Sequence, residues 1–150
     1  MPSLELRPSQ RAAIFEQARA RLPLEACGLL VGTKTASTFC VLELIEAANL
    51  STRGQDRYQL DPVAYMRAER LCQAHPDRHV LGFWHSHPQS SAQHSSIDLE
   101  EARGLYAAFQ ERYLYLIVSM LESEAEAAAC WRLDERGEAF EPVKLKVLPK

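Results

Sequence analysis

The sequence lacks the features that define several large classes of protein. Lys and Arg form no extended cluster, and 17 basic residues against 20 acidic ones give a net charge of −3. Binding to nucleic acids or anionic membranes depends on concentrated positive charge, so neither is predicted as the main activity. No apolar run approaches the roughly 20 residues that span a bilayer. The N-terminal segment has no basic stretch leading into an apolar one, which predicts a cytoplasmic protein.

Cysteine pairs at metal-binding spacing are also absent. The four cysteines, Cys27, Cys40, Cys72 and Cys130, lie far apart and form no Cys-x-x-Cys pair. This spacing predicts reduced thiols in or near the core, and it argues against a disulfide framework or a thiolate zinc site. A chain of this size typically buries about 68–70% of its surface on folding, so its core needs no structural metal. We therefore expect any bound metal to be functional.

The chain contains no internal repeat and no long Gly, Ser or Pro linker, which predicts a single domain over residues 1–150. Helical and strand-like periods alternate along it. Ser9 and Asp61 stand where two of the helices would be capped. The expected fold class is α/β (α+β), with a single mixed β-sheet of about six to eight strands flanked by helices. The pattern predicts helices over 9–21, 61–75 and 96–110, strands over 26–32, 39–45, 80–85, 113–120, 127–133 and 139–148, and a short strand over 58–60.

One segment, residues 83–98, concentrates groups that can bind a metal. His85 and His87 stand two apart at the end of a predicted strand, and side chains two apart on a strand point to the same face. Asp98 falls in the first turn of the following predicted helix, so its carboxylate can approach the two imidazoles. Two imidazoles and one carboxylate suit zinc, and three protein ligands leave a fourth position open, as in catalytic zinc sites.

Other interpretations of the same residues stay open at this point. Ser95-x-x-Asp98 also fits a capping box, in which the carboxylate turns back to the helix N-terminus. Two histidines and a carboxylate can hold Fe(II) in oxygenases. A nucleobase deaminase is disfavoured, because its Pro-Cys-x-x-Cys element is missing. His94 is interpreted as a loop residue, with contact to substrate as the alternative.

The spacing of four residues resembles a known family signature. His85-x-His87, seven residues, Ser95, two residues and Asp98 match the H-x-H-x(7)-S-x(2)-D pattern of the JAMM metalloproteases, also called MPN-plus domains. The predicted order of helices and strands is similar to that of the family over essentially the whole chain. The resemblance therefore implies the JAMM/MPN (cytidine-deaminase-like) fold, in the minimal stand-alone prokaryotic form.

The family also places a glutamate upstream, in an apolar segment after the first helix. Glu25 stands in that position, within Leu24–Gly32. The resemblance implies that His85, His87 and Asp98 bind one Zn²⁺ per chain. It further implies that Glu25 holds the reacting water and acts as general base, and that Ser95 donates a hydrogen bond to the oxyanion.

The same resemblance suggests a substrate class. Minimal prokaryotic members of the family process ubiquitin-like sulfur carrier proteins that end in Gly-Gly, by removing a C-terminal extension or a conjugated amino acid. We expect this protein to be a metallopeptidase or isopeptidase of that kind, with the polar stretch 49–59 lining the substrate groove. The alternative is a non-catalytic scaffold of the same fold that binds a protein partner, although relatives of that kind have lost metal ligands and this sequence keeps all five positions.

Overall fold

The computed structural model of the protein describes residues 1–51, 58–121 and 127–149. No helix in this part of the chain is long and apolar enough to cross a membrane. The described residues form seven strands and three helices, in the order β1 (Ser3–Leu6), α1 (Pro8–Arg21), β2 (Cys27–Lys34), β3 (Thr38–Ala47), α2 (Pro62–Ala74), β4 (His79–His87), α3 (Ser96–Phe109), β5 (Leu114–Ser119), β6 (Ala128–Leu133) and β7 (Phe140–Val147).

The described strands form one mixed sheet in the order β1-β3-β2-β4-β5-β6-β7. Strand β1 is parallel to both β3 and β7, so it closes the sheet into a barrel. Strands β4 and β5 are also parallel, and α3 makes the long crossover that parallel neighbours need. The predicted fold class, one mixed sheet flanked by helices, is confirmed; the closure was not predicted.

The sheet separates two apolar cores. Leu30 of β2 packs in the core that α1 covers, whereas its neighbours Leu29 and Val31 pack in the core that α2 and α3 cover. Both faces of the central strands are therefore buried, which explains why β2 and β5 read as nearly continuous apolar runs. Helix α2 begins as predicted, because Asp61 Oδ1 accepts a hydrogen bond from the Val63 N–H at 2.9 Å and Pro62 occupies the first helical position.

Three details of the sequence interpretation were wrong. Ser9 does not cap α1, because the helix begins at Pro8 and Arg7 is the N-cap, whose N–H donates to Gln10 Oε1 at 2.8 Å. The predicted strand 58–60 is reduced to an isolated bridge between Leu60 and Asn49. Strand β1 was not predicted at all. Of the polar stretch 49–59 that was predicted to line the substrate groove, residues 52–57 lie outside the described residues.

The four cysteines are free thiols, as the sequence predicted. Cys27 and Cys130 are buried, and Cys40 and Cys72 are partly buried.

Candidate metal centre

His85 and His87 are the last two residues of β4 on the face of the sheet that α2 and α3 cover, and β4 has β2 on one side and β5 on the other. Both residues are buried, and His85 is fully so. Their ring centroids lie 5.1 Å apart, on the side of the sheet where α3 begins. The strand alternation predicted from the sequence therefore places both imidazoles at one point.

Asp98 completes this cluster from the first turn of α3. Its Oδ1 lies 3.0 Å from His85 Nε2, and its Oδ2 lies 3.2 Å from His87 Nε2. One potential ligand atom from each of the three residues lies within 4.8 Å of the other two. The three residues that the sequence named as ligands are brought together.

Asp98 also forms the capping box that the sequence offered as the competing interpretation. Its backbone N–H donates to Ser95 Oγ at 3.1 Å, and its Oδ2 accepts from the Ser95 N–H at 2.8 Å. Oδ1 takes no part in the cap and faces His85. Capping and approach to the histidines therefore coexist: Oδ1 faces His85 alone, whereas Oδ2 accepts the cap hydrogen bond and also lies near His87. The cap fixes the direction in which the carboxylate points.

The hydrogen bonding of the two imidazoles fits a bound cation. His87 Nδ1 lies 2.7 Å from the Ser91 carbonyl oxygen; a carbonyl only accepts, so Nδ1 carries the proton and Nε2 presents a lone pair. Both ring nitrogens of His85 are buried without a hydrogen-bond partner among the described residues, because the contact between His85 Nε2 and Asp98 lacks hydrogen-bond geometry. Buried polar atoms are normally satisfied, so this convergent donor set fits a divalent metal.

The electrostatics of the cluster favour the ionised carboxylate. Burial acts to raise the pKa of Asp98, but the contacts with His85 and His87 and the hydrogen bond from Ser95 hold that pKa well below its ordinary value. Burial acts to lower the pKa of His87, yet the contact with Asp98, the Ser91 carbonyl and the charges of Asp98 and Glu25 raise it. At neutral pH the site therefore offers a cation the ionised carboxylate of Asp98.

Glu25 lies beside His87 because of how β2 pairs with β4. Cys27 stands opposite His85 in the antiparallel ladder, and the Ser86 N–H donates to the Ala26 carbonyl at 3.0 Å, so the next residue back, Glu25, reaches the level of His87. The Glu25 side chain is 5% exposed, and its charge acts on the pKa of His87. The fourth predicted residue thus reaches the same site.

Ser95 and His94 occupy different surroundings. Ser95 is exposed at the rim of the site and is joined to Asp98 by the capping box. His94 packs edge-on against Trp131, with ring centroids 4.8 Å apart, and at the same distance against Phe140. Its ring is therefore held by strands β6 and β7, in agreement with its interpretation as a loop residue.

Three further residues support the site. The sequence predicted no role at the metal cluster for them, although Asn49 and Tyr58 belong to the predicted groove segment 49–59. Tyr58 stacks on His85, with centroids 4.6 Å apart and planes at 24°. Ser86 Oγ accepts from the Ala26 N–H at 2.8 Å, and Asn49 Nδ2 donates to the Glu25 carbonyl at 3.0 Å. A serine between two histidines on a buried strand is a usable signal for Ser86, because its side chain must find a partner. Tyr58 and Asn49 reach the site through tertiary packing and carry no local signal.

A groove of about 610 Å³ runs beside the site, between α2 and α3. Tyr58, the stacking partner of His85, forms part of its wall, as do Met66 and Phe109, which are largely exposed. Ser51 and Gln59 also line it, so three described residues of the predicted groove segment 49–59 do border a groove. The groove and the metal cluster therefore share one wall.

The fold and the site together define the class of protein. The family model described as prokaryotic homologs of the JAB domain matches residues 8–134, and the chain belongs to this family. The resemblance stated from the motif is thereby confirmed.

Two similar proteins extend this finding. A protein of Haloferax volcanii named Desampylase is 31% identical over 120 residues, which cover 77% of this chain and 80% of that protein. A protein of Desulfitobacterium hafniense, known from its solution structure, superposes with a TM-score of 0.79 at 24% identity, covering 100% of this chain and 94% of that one. This second similarity supports the fold.

Proposed function

We propose that this protein is a zinc-dependent hydrolase that cleaves the peptide or isopeptide bond after the C-terminal Gly-Gly of a ubiquitin-like sulfur carrier protein. The observation that carries the proposal is the convergence of His85, His87 and Asp98 on one point, with Glu25 beside them. Family membership supports it, and so does the similarity to the relative named Desampylase.

His85, His87 and Asp98 are the residues that would hold the zinc ion. Zinc bound by two imidazoles and a carboxylate supplies Lewis acidity toward a carbonyl and makes a water molecule acidic near neutral pH. The protein itself holds the ligand side chains in position before a metal binds. The capping hydrogen bond fixes Asp98, and the hydrogen bond to the Ser91 carbonyl fixes His87.

Glu25 supplies the proton transfers that amide hydrolysis needs. A water molecule attacks the carbonyl carbon and gives a proton to the Glu25 carboxylate; when the C–N bond breaks, Glu25 returns that proton to the leaving amine. An amine leaves poorly unless it is protonated, so the proton that Glu25 takes from water and returns to the amine allows the C–N bond to break. The buried position of Glu25 beside His87 suits this role.

Ser95 can serve the reaction and the helix at the same time. Its Oγ accepts the Asp98 N–H with a lone pair, and a hydroxyl has one proton left to donate. Because Ser95 is exposed at the rim, that proton can be directed toward the substrate carbonyl oxygen as negative charge develops on it. We assign Ser95 the oxyanion-donor role.

We further propose that residues 1–150 act as one catalytic domain in the cytoplasm.

The direct test uses a small ubiquitin-like protein whose C-terminal Gly-Gly carries a short peptide extension. The zinc-loaded protein should shorten this substrate at the bond after the second glycine, as seen by intact-mass spectrometry. A second substrate with the glycine pair replaced by Ala-Ala should resist cleavage, because the proposal makes the glycine pair the feature that the enzyme recognises.

The matched control is Glu25→Gln, which keeps the shape of the side chain and removes the proton acceptor. The variant should bind the same substrate without cutting it. If the unaltered, zinc-loaded protein binds the carrier and leaves it intact, the non-catalytic scaffold is the better description, and the hydrolase proposal is wrong.

A further inference from the structure

The segment that joins β4 to α3, residues 88–95, is here named the site loop. The site loop follows His87, ends at Ser95 and leads into the first turn of α3, which contains Asp98. Its position therefore sets the distance between the histidines and the carboxylate. Its Ser91 carbonyl accepts from His87 Nδ1 at 2.7 Å. Whatever holds the backbone at Ser91 therefore also holds the imidazole ring of His87.

Three successive carbonyl groups of the site loop are bound by three different strands. The Ser90 carbonyl accepts from Ser119 Oγ of β5 at 2.7 Å. The Ser91 carbonyl accepts from His87 of β4, and the Ala92 carbonyl accepts from Trp131 Nε1 of β6 at 3.2 Å. The carbonyl that orients His87 is thus flanked on both sides by carbonyls fixed to the sheet.

Side-chain packing also holds the site loop in place. Ala92 is buried, and the next residue but one, His94, contacts the rings of Trp131 and Phe140. Trp131 therefore holds the loop twice, through its indole N–H and through its ring. Ser119 is 1% exposed, so its hydroxyl donates to Ser90 away from the competition of bulk water.

We propose that Ser119 and Trp131 are positioning residues for the metal ligand His87, acting through the site loop. This inference rests on the proposed metal site. Neither side chain touches the ligand atoms; each fixes one of the carbonyls next to the Ser91 carbonyl. Loss of either anchor lets the Ser91 carbonyl move away from Nδ1, so that the imidazole loses its fixed orientation and the single tautomer that presents Nε2 as a lone pair.

The test compares Trp131→Phe with the unaltered full-length protein. Phenylalanine keeps an aromatic ring against His94 and removes the N–H that binds the Ala92 carbonyl. Loss of a direct hydrogen-bond partner of a ligand typically weakens metal binding 10–100-fold, so an anchor one step further out should weaken zinc binding by about tenfold. The zinc dissociation constant is measured by competition with a chelator, and Ser119→Ala should act in the same direction.

A second measurement needs no metal. Nitrogen-edited NMR of the metal-free protein reports whether the proton on His87 Nδ1 is held in its hydrogen bond to the Ser91 carbonyl. In the unaltered protein this proton should exchange slowly with solvent, and in Trp131→Phe it should exchange faster. A merely structural role of Trp131 would leave this signature unchanged.

Val143→Ala is the matched control for lost stability. Val143 is buried on β7, opposite Cys130, in the core on the other side of the sheet from the site loop. Its truncation should lower the unfolding temperature and leave both zinc affinity and the exchange rate of the His87 Nδ1 proton unchanged. If Trp131→Phe and Ser119→Ala alter these two quantities no more than Val143→Ala does, the inference is wrong. If the unaltered protein binds no zinc, the proposed function fails, and the NMR measurement then shows only whether the two anchors hold the His87 ring.

Discussion

Zinc binding should raise the thermal stability of this protein, and the burial of the donor set gives the physical reason. His85 is fully buried, and neither of its ring nitrogens has a hydrogen-bond partner among the described residues. An unsatisfied buried polar group costs about 1–3 kcal/mol, and a ligand that occupies it removes this penalty. The metal-free protein should therefore fold, because two apolar cores hold it, yet be less stable than the loaded form.

The expected shift can be worked out by linkage. At a free zinc concentration 100-fold above the dissociation constant, binding to the folded state alone adds about 2.7 kcal/mol. For a protein of this length, each kcal/mol moves the unfolding midpoint by roughly 2–4 °C, so the midpoint should rise by about 5–11 °C. The four free cysteines can bind zinc in the unfolded chain, which moves the result toward the lower end.

The assay is thermal unfolding, followed by calorimetry, in buffers that fix the free zinc concentration. The midpoint should climb with the logarithm of free zinc for the unaltered protein and for His75→Ala, an exposed histidine outside the cluster. Asp98→Ala should still unfold cooperatively, and its midpoint should stay flat as zinc increases. An equal rise in Asp98→Ala would refute the reasoning, because the stabilising zinc would then be bound elsewhere; loss of its cooperative transition would show that the site is structural.

Three further outcomes are expected. Glu25→Gln should retain a full equivalent of zinc by metal analysis and lose nearly all turnover; full activity would remove Glu25 from the mechanism. Ser95→Ala should lower turnover by about 10²–10³ through the lost oxyanion donor and stability by about 1 kcal/mol through the lost cap; an unchanged rate would limit Ser95 to capping. Burial raises the pKa of Cys27 and of Cys130 to about 12, so a colorimetric thiol reagent at mildly alkaline pH should titrate two fewer thiols in the folded protein than in denaturant, and equal counts would contradict this assignment.

The sequence predicts the local geometry of the candidate site well, because most of it depends on short spacings. His85 and His87 share a face by strand alternation, and Asp98 follows Ser95 by the spacing of a capping box. The capping box and the approach to the histidines, which the sequence offered as alternatives, occur together: Oδ1 faces His85, and Oδ2 both caps the helix and lies near His87. This arrangement depends on where the site loop places α3, and no spacing in the sequence encodes that position.

Features formed by contacts between residues distant in sequence were missed, because short spacings do not encode such contacts. Tyr58 reaches His85 because the segments around Asn49 and Leu60 pair beyond the end of β3, and a single bridge leaves no periodic pattern. Ser9 looked like a cap, but Pro8 fits the first helical position and Gln10 binds the Arg7 N–H, so the helix begins earlier. Strand β1 has four residues, too few for an alternating pattern to be distinguished from chance.

That short strand determines how the protein behaves toward copies of itself. Strand β1 lies between β3 and β7 and occupies backbone groups that would otherwise form two exposed edges. Exposed edges recruit strands from other molecules, which is a common route to aggregation. Deleting residues 3–6 should therefore favour self-association of the folded protein before it disturbs the cluster of His85, His87 and Asp98, which lies on a different part of the sheet.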